Sequence, residues 1–233
     1  DNKSKDYWSA SWQPVGKDLK TYRSECRHGT AYTKMQADYS GIHSEVRYYV
    51  PLDRAYEVWN VCIANTSAEE RELTVTGYAE FTNNSNYEQD QVNLQYSQFI
   101  TRTVFFALKG AKVTSWCGDR EKFLGRYHGY GNPAGVAEGT LCNEGNENGN
   151  SCGALSTVVR LAPGEHCEFA FLVGMKEEPE VAEILASYVL PEQVCGKELQ
   201  QLTDYWHGKL AHFQIKTPSE EFNAMINTWN AYN

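Results

Sequence analysis

Apolar and polar residues alternate over much of the first 175 positions, and this period of two predicts strands. Glu45–Val50 is rich in β-branched and aromatic residues and stops at Pro51. Glu57–Ile63 alternates in part and ends in the turn-rich Asn65-Thr66-Ser67. Glu72–Glu80 places Leu73, Val75 and Gly77 on one face and Thr74, Thr76 and Tyr78 on the other. Val92–Leu108 reads as one long strand, bent or twisted within a large sheet. Val113–Cys117, Ala154–Leu161 and Cys167–Val173 add three more, with Ala162-Pro163-Gly164-Glu165 as a tight turn between the last two. Many strands with no helical period between them predict an antiparallel sandwich over 1–175.

After Gly174 the period changes. Pro179 sits in a first helical turn, and Val181, Ile184, Leu185 and Tyr188 recur at i, i+3, i+4 and i+7. Pro191 opens a second helix with Val194, Leu199, Leu202, Tyr205, Trp206 and Leu210 along one face. A third helix starts at Thr217-Pro218-Ser219-Glu220, with Thr217 or Ser219 as its cap, and carries a stripe of Phe222, Met225, Ile226 and Trp229. The pattern divides the chain into a β domain (1–175), a helical linker (176–216) and the first helix of a further unit (217–233). The stripe runs on to the last residues, and the chain opens on Asp1-Asn2-Lys3 without a methionine, so a piece of a longer protein is expected.

Two stretches break the pattern. Cys117–Gly153 holds much of the glycine and is expected to be loop, with Asn143–Asn150 as a mobile tip. No helix is expected behind its glycines, so they make no phosphate-binding loop. Ala79–Gln91 joins two strand patterns, yet it is long, polar and almost free of turn breakers. Long ordered loops are more often functional than short ones. Its amides, carboxylates and tyrosine are the groups that hydrogen-bond sugar hydroxyls. They serve equally well in a solvated loop whose Asn side chains bond their own backbone.

Composition narrows the function. A net charge of −9 with no Lys/Arg cluster argues against nucleic acid. No window approaches the roughly 18 apolar residues of a membrane span. The seven cysteines are scattered without a CxxC and read as reduced thiols in a cytoplasmic protein, with Cys62 and Cys167 as small core residues. No metal or organic cofactor is expected. The carboxylate pairs Glu88/Asp90 and Asp119/Glu121 are candidates for glycosidic chemistry, although solvated or salt-bridged surface explains them more simply. Tyr127–Pro133 is rich in sugar-compatible groups and in ordinary turn formers alike. His28 beside Arg27 reads as structural.

Several longer motifs carry a resemblance. Tyr7–Val15, Ser24–Thr33, Phe81–Tyr96, Gly118–Gly125 and Thr217–Asn230, in this order and spacing, resemble the cellobiose phosphorylases of glycoside hydrolase family 94, formerly glycosyltransferase family 36. The resemblance implies a mainly β fold, a large antiparallel supersandwich of the galactose-mutarotase-like type, truncated at its start. Linker helices then lead to an (α/α)6-barrel that lies outside this chain. It implies phosphorolysis of cellobiose, a β-1,4-glucobiose, to α-glucose 1-phosphate and glucose with inversion. Inorganic phosphate is then the co-substrate, and an aspartate of the barrel is the general acid. No catalytic residue is therefore assigned within this chain. The implied partners are a glucose- or cellobiose-type sugar, the chain's own C-terminal barrel and a second copy in a homodimer. In this frame the Asn83–Gln91 loop reaches the acceptor sugar through Asn83 and Asp90, with Tyr87 and Gln89 next; a loop that only buttresses the domain is the other reading. A stand-alone carbohydrate-binding sandwich and a small mutarotase-type sandwich enzyme are the alternatives.

Overall fold

A computed structural model of the chain describes residues 1–81, 93–94, 104–146, 149–176 and 178–229. Its strands are β1 (Arg23–Gly29), β2 (Tyr32–Tyr39), β3 (Ile42–Tyr49), β4 (Tyr56–Asn65), β5 (Arg71–Glu80), β6 (Asn93–Leu94), β7 (Phe105–Lys109), β8 (Val113–Asp119), β9 (Ser151–Leu161) and β10 (His166–Gly174). Its helices are α1 (Arg120–Leu124), α2 (Ala134–Ala137), α3 (Glu178–Ser187), α4 (Pro191–Leu210) and α5 (Glu220–Asn227). A seven-stranded sheet runs β1-β2-β3-β4-β10-β7-β6, and a three-stranded sheet runs β5-β9-β8. Every pairing is antiparallel except β6 with β7.

Three layers result, and the sequence of the central strands explains why. Phe106 and Leu108 of β7, Val61 and Ile63 of β4, and Phe169 and Phe171 of β10 face the small sheet and pack with its Leu73, Val113 and Leu155. Their neighbours Phe105, Ala107, Val58, Ala170 and Leu172 point the other way and pack against Val181, Tyr188, Cys195 and Leu202 of the helical segment. A strand covered on both faces has no polar side to show, so it reads as a continuous apolar run such as Phe105-Phe106-Ala107-Leu108. The period Val181, Ile184, Leu185 and Tyr188 seats the helical segment on this sheet as its third layer.

Two glycines set the distance between the sheets. A Cβ on Gly77 of β5 would lie 2.6 Å from the Phe171 ring, and one on Gly153 of β9 would lie 2.9 Å from Phe106. Phe171 and Phe106 stack on each other at 5.5 Å with 5° between their planes. The stacked pair therefore rests on bare backbone of the small sheet.

The structure departs from the sequence pattern in three places. β1 and β2 were not foreseen. β1 is an edge strand, exposed along nearly all its length, and a strand with little to bury has no period-two signature. Val92–Leu108 is not one long strand, because Asn93–Leu94 pairs in parallel with Phe105–Phe106 and two parallel partners cannot be one continuous strand. The glycine-rich segment carries the short helices α1 and α2. At the start of α5, Ser219 is the cap, accepting a hydrogen bond from Phe222 N at 3.2 Å. Phe222, Met225 and Trp229 of that region are exposed. No described helix is long and apolar enough to cross a membrane.

A carboxylate ties the helical layer to the sheet. Tyr49 of β3 donates to Glu198 of α4 at 2.8 Å, and Tyr188 donates to it at 2.8 and 2.9 Å. Burial raises the Glu198 carboxyl above its ordinary value, against the lowering effect of those two hydrogen bonds. A raised folded-state pKa means that the folded protein holds the proton more tightly. The stabilisation is present below the unfolded value and is lost as pH rises through the folded one. Glu198→Gln removes this titration. The melting-temperature difference between wild type and Glu198→Gln should therefore move in the variant's favour between about pH 4 and about pH 7.5, a window spanning the ordinary glutamate pKa. A difference that stays constant across that window would show that Glu198 does not couple folding to protonation.

Candidate functional site

The end of β5 and the start of the glycine-rich segment build a polar, aromatic cluster. β5 delivers Tyr78 and Glu80 at its last turns, and β8 runs directly into α1, which presents Arg120 and Glu121. Asp119 fixes that junction as the α1 cap, accepting from Lys122 N at 3.0 Å. Tyr78 stacks on Phe123 of α1 with ring centres 4.3 Å apart and meets Tyr130 edge-on at 6.4 Å. Tyr78 donates to Glu80 at 2.7 Å, and Tyr130 donates to the same oxygen. Arg120 lies 3.8 Å from Glu80 and donates to Glu121 at 2.9 Å. Asn150 completes the cluster by donating its side-chain amide to Glu121 at 2.9 Å.

The electrostatics sort the roles. Burial pushes the Glu121 carboxyl up, but hydrogen bonds from Asn150, Arg120 and backbone amides together hold it at about 2. A carboxylate held that low stays ionised at neutral pH and cannot deliver a proton as a general acid. Asp119 is committed to its cap. Glu121 is thus salt-bridged to Arg120 and Asp119 is a helix cap, the structural alternative for this pair. Burial and the Glu80 hydrogen bond raise Tyr78, and the Glu80 hydrogen bond, with burial second, raises Tyr130. Both phenols remain donors at neutral pH. The cluster therefore offers carboxylate acceptors, guanidinium and amide donors, and ring faces, which is a set suited to sugar hydroxyls and the apolar faces of a pyranose.

The Tyr127–Pro133 loop flanks it. Asn132 closes its turn by accepting from Gly129 N at 2.9 Å, and its carbonyl lies 2.6 Å from His128 Nδ1. Tyr127 sits in the left-handed region at φ 62° and points wholly into solvent. The described residues of Asn143–Asn150 bond their surroundings: Asn143 accepts from Trp116 N at 3.0 Å, Glu144 accepts from Gly118 N at 2.9 Å, and Asn146 bonds Ser151 at 2.8 Å. His28 is exposed, 3.0 Å from the Thr33 hydroxyl across the β1–β2 hairpin.

Asn83, Tyr87, Gln89 and Asp90 lie outside the described residues, as does Glu88. What the structure does place is the point of departure. Phe81 N bonds Ser151 O at 3.3 Å, which holds the last described residue before that segment at the end of β5, next to Glu80. Sequence reasoning missed the cluster because Glu80, Arg120, Tyr130 and Asn150 are far apart in the chain. The signals available were separate: Ala79–Gln91 holds Glu80, Tyr127–Pro133 holds Tyr130, and the Gly118–Gly125 motif holds Arg120 and Glu121.

A concavity of about 420 Å³ lies between the two sheets, lined mainly by apolar groups such as Val46, Trp59, Val61 and Phe171, and the cluster's Tyr78, Phe123 and Tyr130 form part of its wall. Asp6 at its margin is held by Lys17 at 2.5 Å and Tyr39 at 2.8 Å. Among the described residues, no group of three or more His, Cys, Asp or Glu is placed to hold a metal ion.

The fold and the cluster define a β-supersandwich domain with a sugar-compatible polar end. The sequence profile of the family described as Glycosyl hydrolase 94, supersandwich domain, matches residues 1–105 and 100–191, and the chain belongs to that family. It is 31% identical over 252 residues to N,N'-diacetylchitobiose phosphorylase of Vibrio proteolyticus, covering 100% of this chain and 31% of that protein. The corresponding Vibrio furnissii enzyme is 32% identical, with the same coverage. Solabiose phosphorylase of Paenibacillus borealis is 25% identical over 98% of this chain and 32% of its own length. The chain thus spans about a third of the length of these curated relatives.

Proposed function

We propose that this chain is the N-terminal domain of a glycoside phosphorylase, and that it helps to build the acceptor side of the sugar pocket without supplying the general acid. The observation that carries the reading is similarity over 98–100% of this chain to about a third of the length of several proteins named as phosphorylases. The Asp119/Glu121 pair agrees with it, since Glu121 is held ionised and Asp119 is a helix cap. In this reading inorganic phosphate attacks the anomeric carbon of a β-linked disaccharide while an aspartate beyond this chain protonates the leaving oxygen. Phosphate takes the place of the activated water of an inverting hydrolase, so a second catalytic carboxylate is unnecessary.

The substrate we assign is cellobiose, split with inversion to α-glucose 1-phosphate and glucose, in a homodimeric cytoplasmic enzyme. The names of the two Vibrio relatives make N,N'-diacetylchitobiose the competitor. The test is phosphate consumption with either disaccharide, for this chain alone and for the protein extended through its native C-terminal sequence. Turnover is expected only in the extended protein and with cellobiose. Turnover by the short chain would place the acid among its own residues and defeat the domain reading. Turnover of diacetylchitobiose in preference would defeat the sugar assignment alone.

A further inference from the structure

Three cysteines meet at the foot of the glycine-rich segment. Cys142 donates to Cys117 with 2.9 Å between the sulfurs, and Cys152 donates to the Cys117 carbonyl at 3.6 Å. Cys117 and Cys152 are fully buried, while Cys142 is exposed. A covalent sulfur–sulfur bond is about 2.05 Å long, so a short approach of Cys142 towards Cys117 closes the gap. The surrounding backbone holds the two in place: Asn143 N bonds Trp116 O at 2.7 Å and Gly118 N bonds Glu144 O at 2.9 Å, one hydrogen bond on each side of Cys117.

We propose that Cys117 and Cys142 form a reversible dithiol–disulfide site that is oxidised by low-molecular-weight disulfides such as glutathione disulfide. Exposure fixes the order of events. The Cys142 thiolate attacks one sulfur of the glutathione disulfide, the S–S bond breaks, and one glutathione thiolate leaves. Cys117 then attacks the Cys142 sulfur of the mixed disulfide and expels the second glutathione, whose thiolate takes up the Cys117 proton. Two protein thiols are oxidised and one glutathione disulfide becomes two glutathiones. The adjacent thiol and burial raise Cys142, and Cys117 is raised to about 12. The exchange should therefore be slow at neutral pH and accelerate about tenfold per pH unit, because the thiolate is the nucleophile.

The bond would tether both ends of residues 118–141, the stretch that carries α1, α2, Arg120, Glu121 and Tyr130. Closing a loop of this length restricts the unfolded chain, and an upward shift in melting temperature of about 5 °C is expected. It would also fix the frame of the polar cluster.

The experiment is incubation of the purified protein with glutathione disulfide at several pH values, then alkylation, peptide mapping and a thiol count in denaturant. The expected result is a Cys117–Cys142 linked peptide and a fall from seven titratable thiols by two. Dithiothreitol should reverse both changes. Cys142→Ser, at an exposed position, should abolish the link and the temperature shift, while Cys62→Ser leaves both. A stable glutathione adduct on Cys142 without the link, a Cys117–Cys152 peptide, or no loss of thiols would each overturn the proposal.

Discussion

Phe171→Ala is expected to lower the unfolding free energy by about 4 kcal/mol, the usual scale for deleting a buried phenylalanine ring. Phe171 is 2% exposed. It stacks on Phe106, lies 6.3 Å from Trp59 and meets Phe169 edge-on at 5.9 Å. Its removal opens a void between two sheets that cannot close, because the backbone at Gly77 already lies against the ring. Set against the roughly 5–15 kcal/mol of a typical domain, the loss is a large fraction of the total. Phe171→Leu keeps most of the volume and should cost about 1.5 kcal/mol or less. The mechanism has a sharper test in the glycine opposite. Gly77→Val puts a side chain where the ring sits and should cost about 1–3 kcal/mol in the wild type. On the Phe171→Ala background the valine fills the void, and its cost should vanish or change sign. Urea midpoints with unchanged slopes read all four proteins. Simple additivity of the two substitutions would show that ring and glycine do not share the space.

The same strands show how far the sequence could be read. Central strands and helices carried clear signals. The alternation over Glu72–Glu80, the apolar runs at Phe105–Leu108 and Phe169–Val173, and the period from Val181 to Tyr188 each record which faces are covered. β1 left no such record, because an edge strand with solvent on its faces is under no pressure to alternate. The 92–108 stretch misled for the opposite reason: it is apolar enough to be strand at both ends, and composition does not reveal where a chain turns back. The candidate cluster was the least legible. Glu80 and Tyr130 are 50 residues apart, and Glu121 and Asn150 are 29 apart. Their meeting depends on β5, β9 and β8 lying side by side, which is a property of topology. Asn150 looked like part of a solvated tip because Asn and Gly are turn formers wherever they fall. The four proposed sugar contacts came from the amide-rich composition of their loop and from family resemblance.

Those contacts make the second large prediction. In the protein extended through its C-terminal sequence, Asn83→Ala and Asp90→Ala are expected to raise the KM for the acceptor sugar in the synthetic direction, by about 10-fold and about 100-fold respectively. The larger effect belongs to Asp90, because a hydrogen bond to a charged group is worth about 1.5–3 kcal/mol and a neutral one about 1. The KM for α-glucose 1-phosphate should change by less than about twofold, since the donor sugar and its phosphate are assigned to the other side of the pocket. The comparison also separates binding from scaffolding. The loop leaves β5 at Glu80, whose carboxylate holds Tyr78 and Tyr130. Glu80→Gln should loosen that frame and lower the melting temperature together with acceptor affinity. A direct contact residue should change acceptor affinity while the melting temperature stays within about 1 °C, as is usual for substitutions that leave the packed structure intact. If Asn83→Ala and Asp90→Ala lowered stability and left acceptor KM untouched, the loop would be a buttress, and the acceptor pocket would have to be built by other residues.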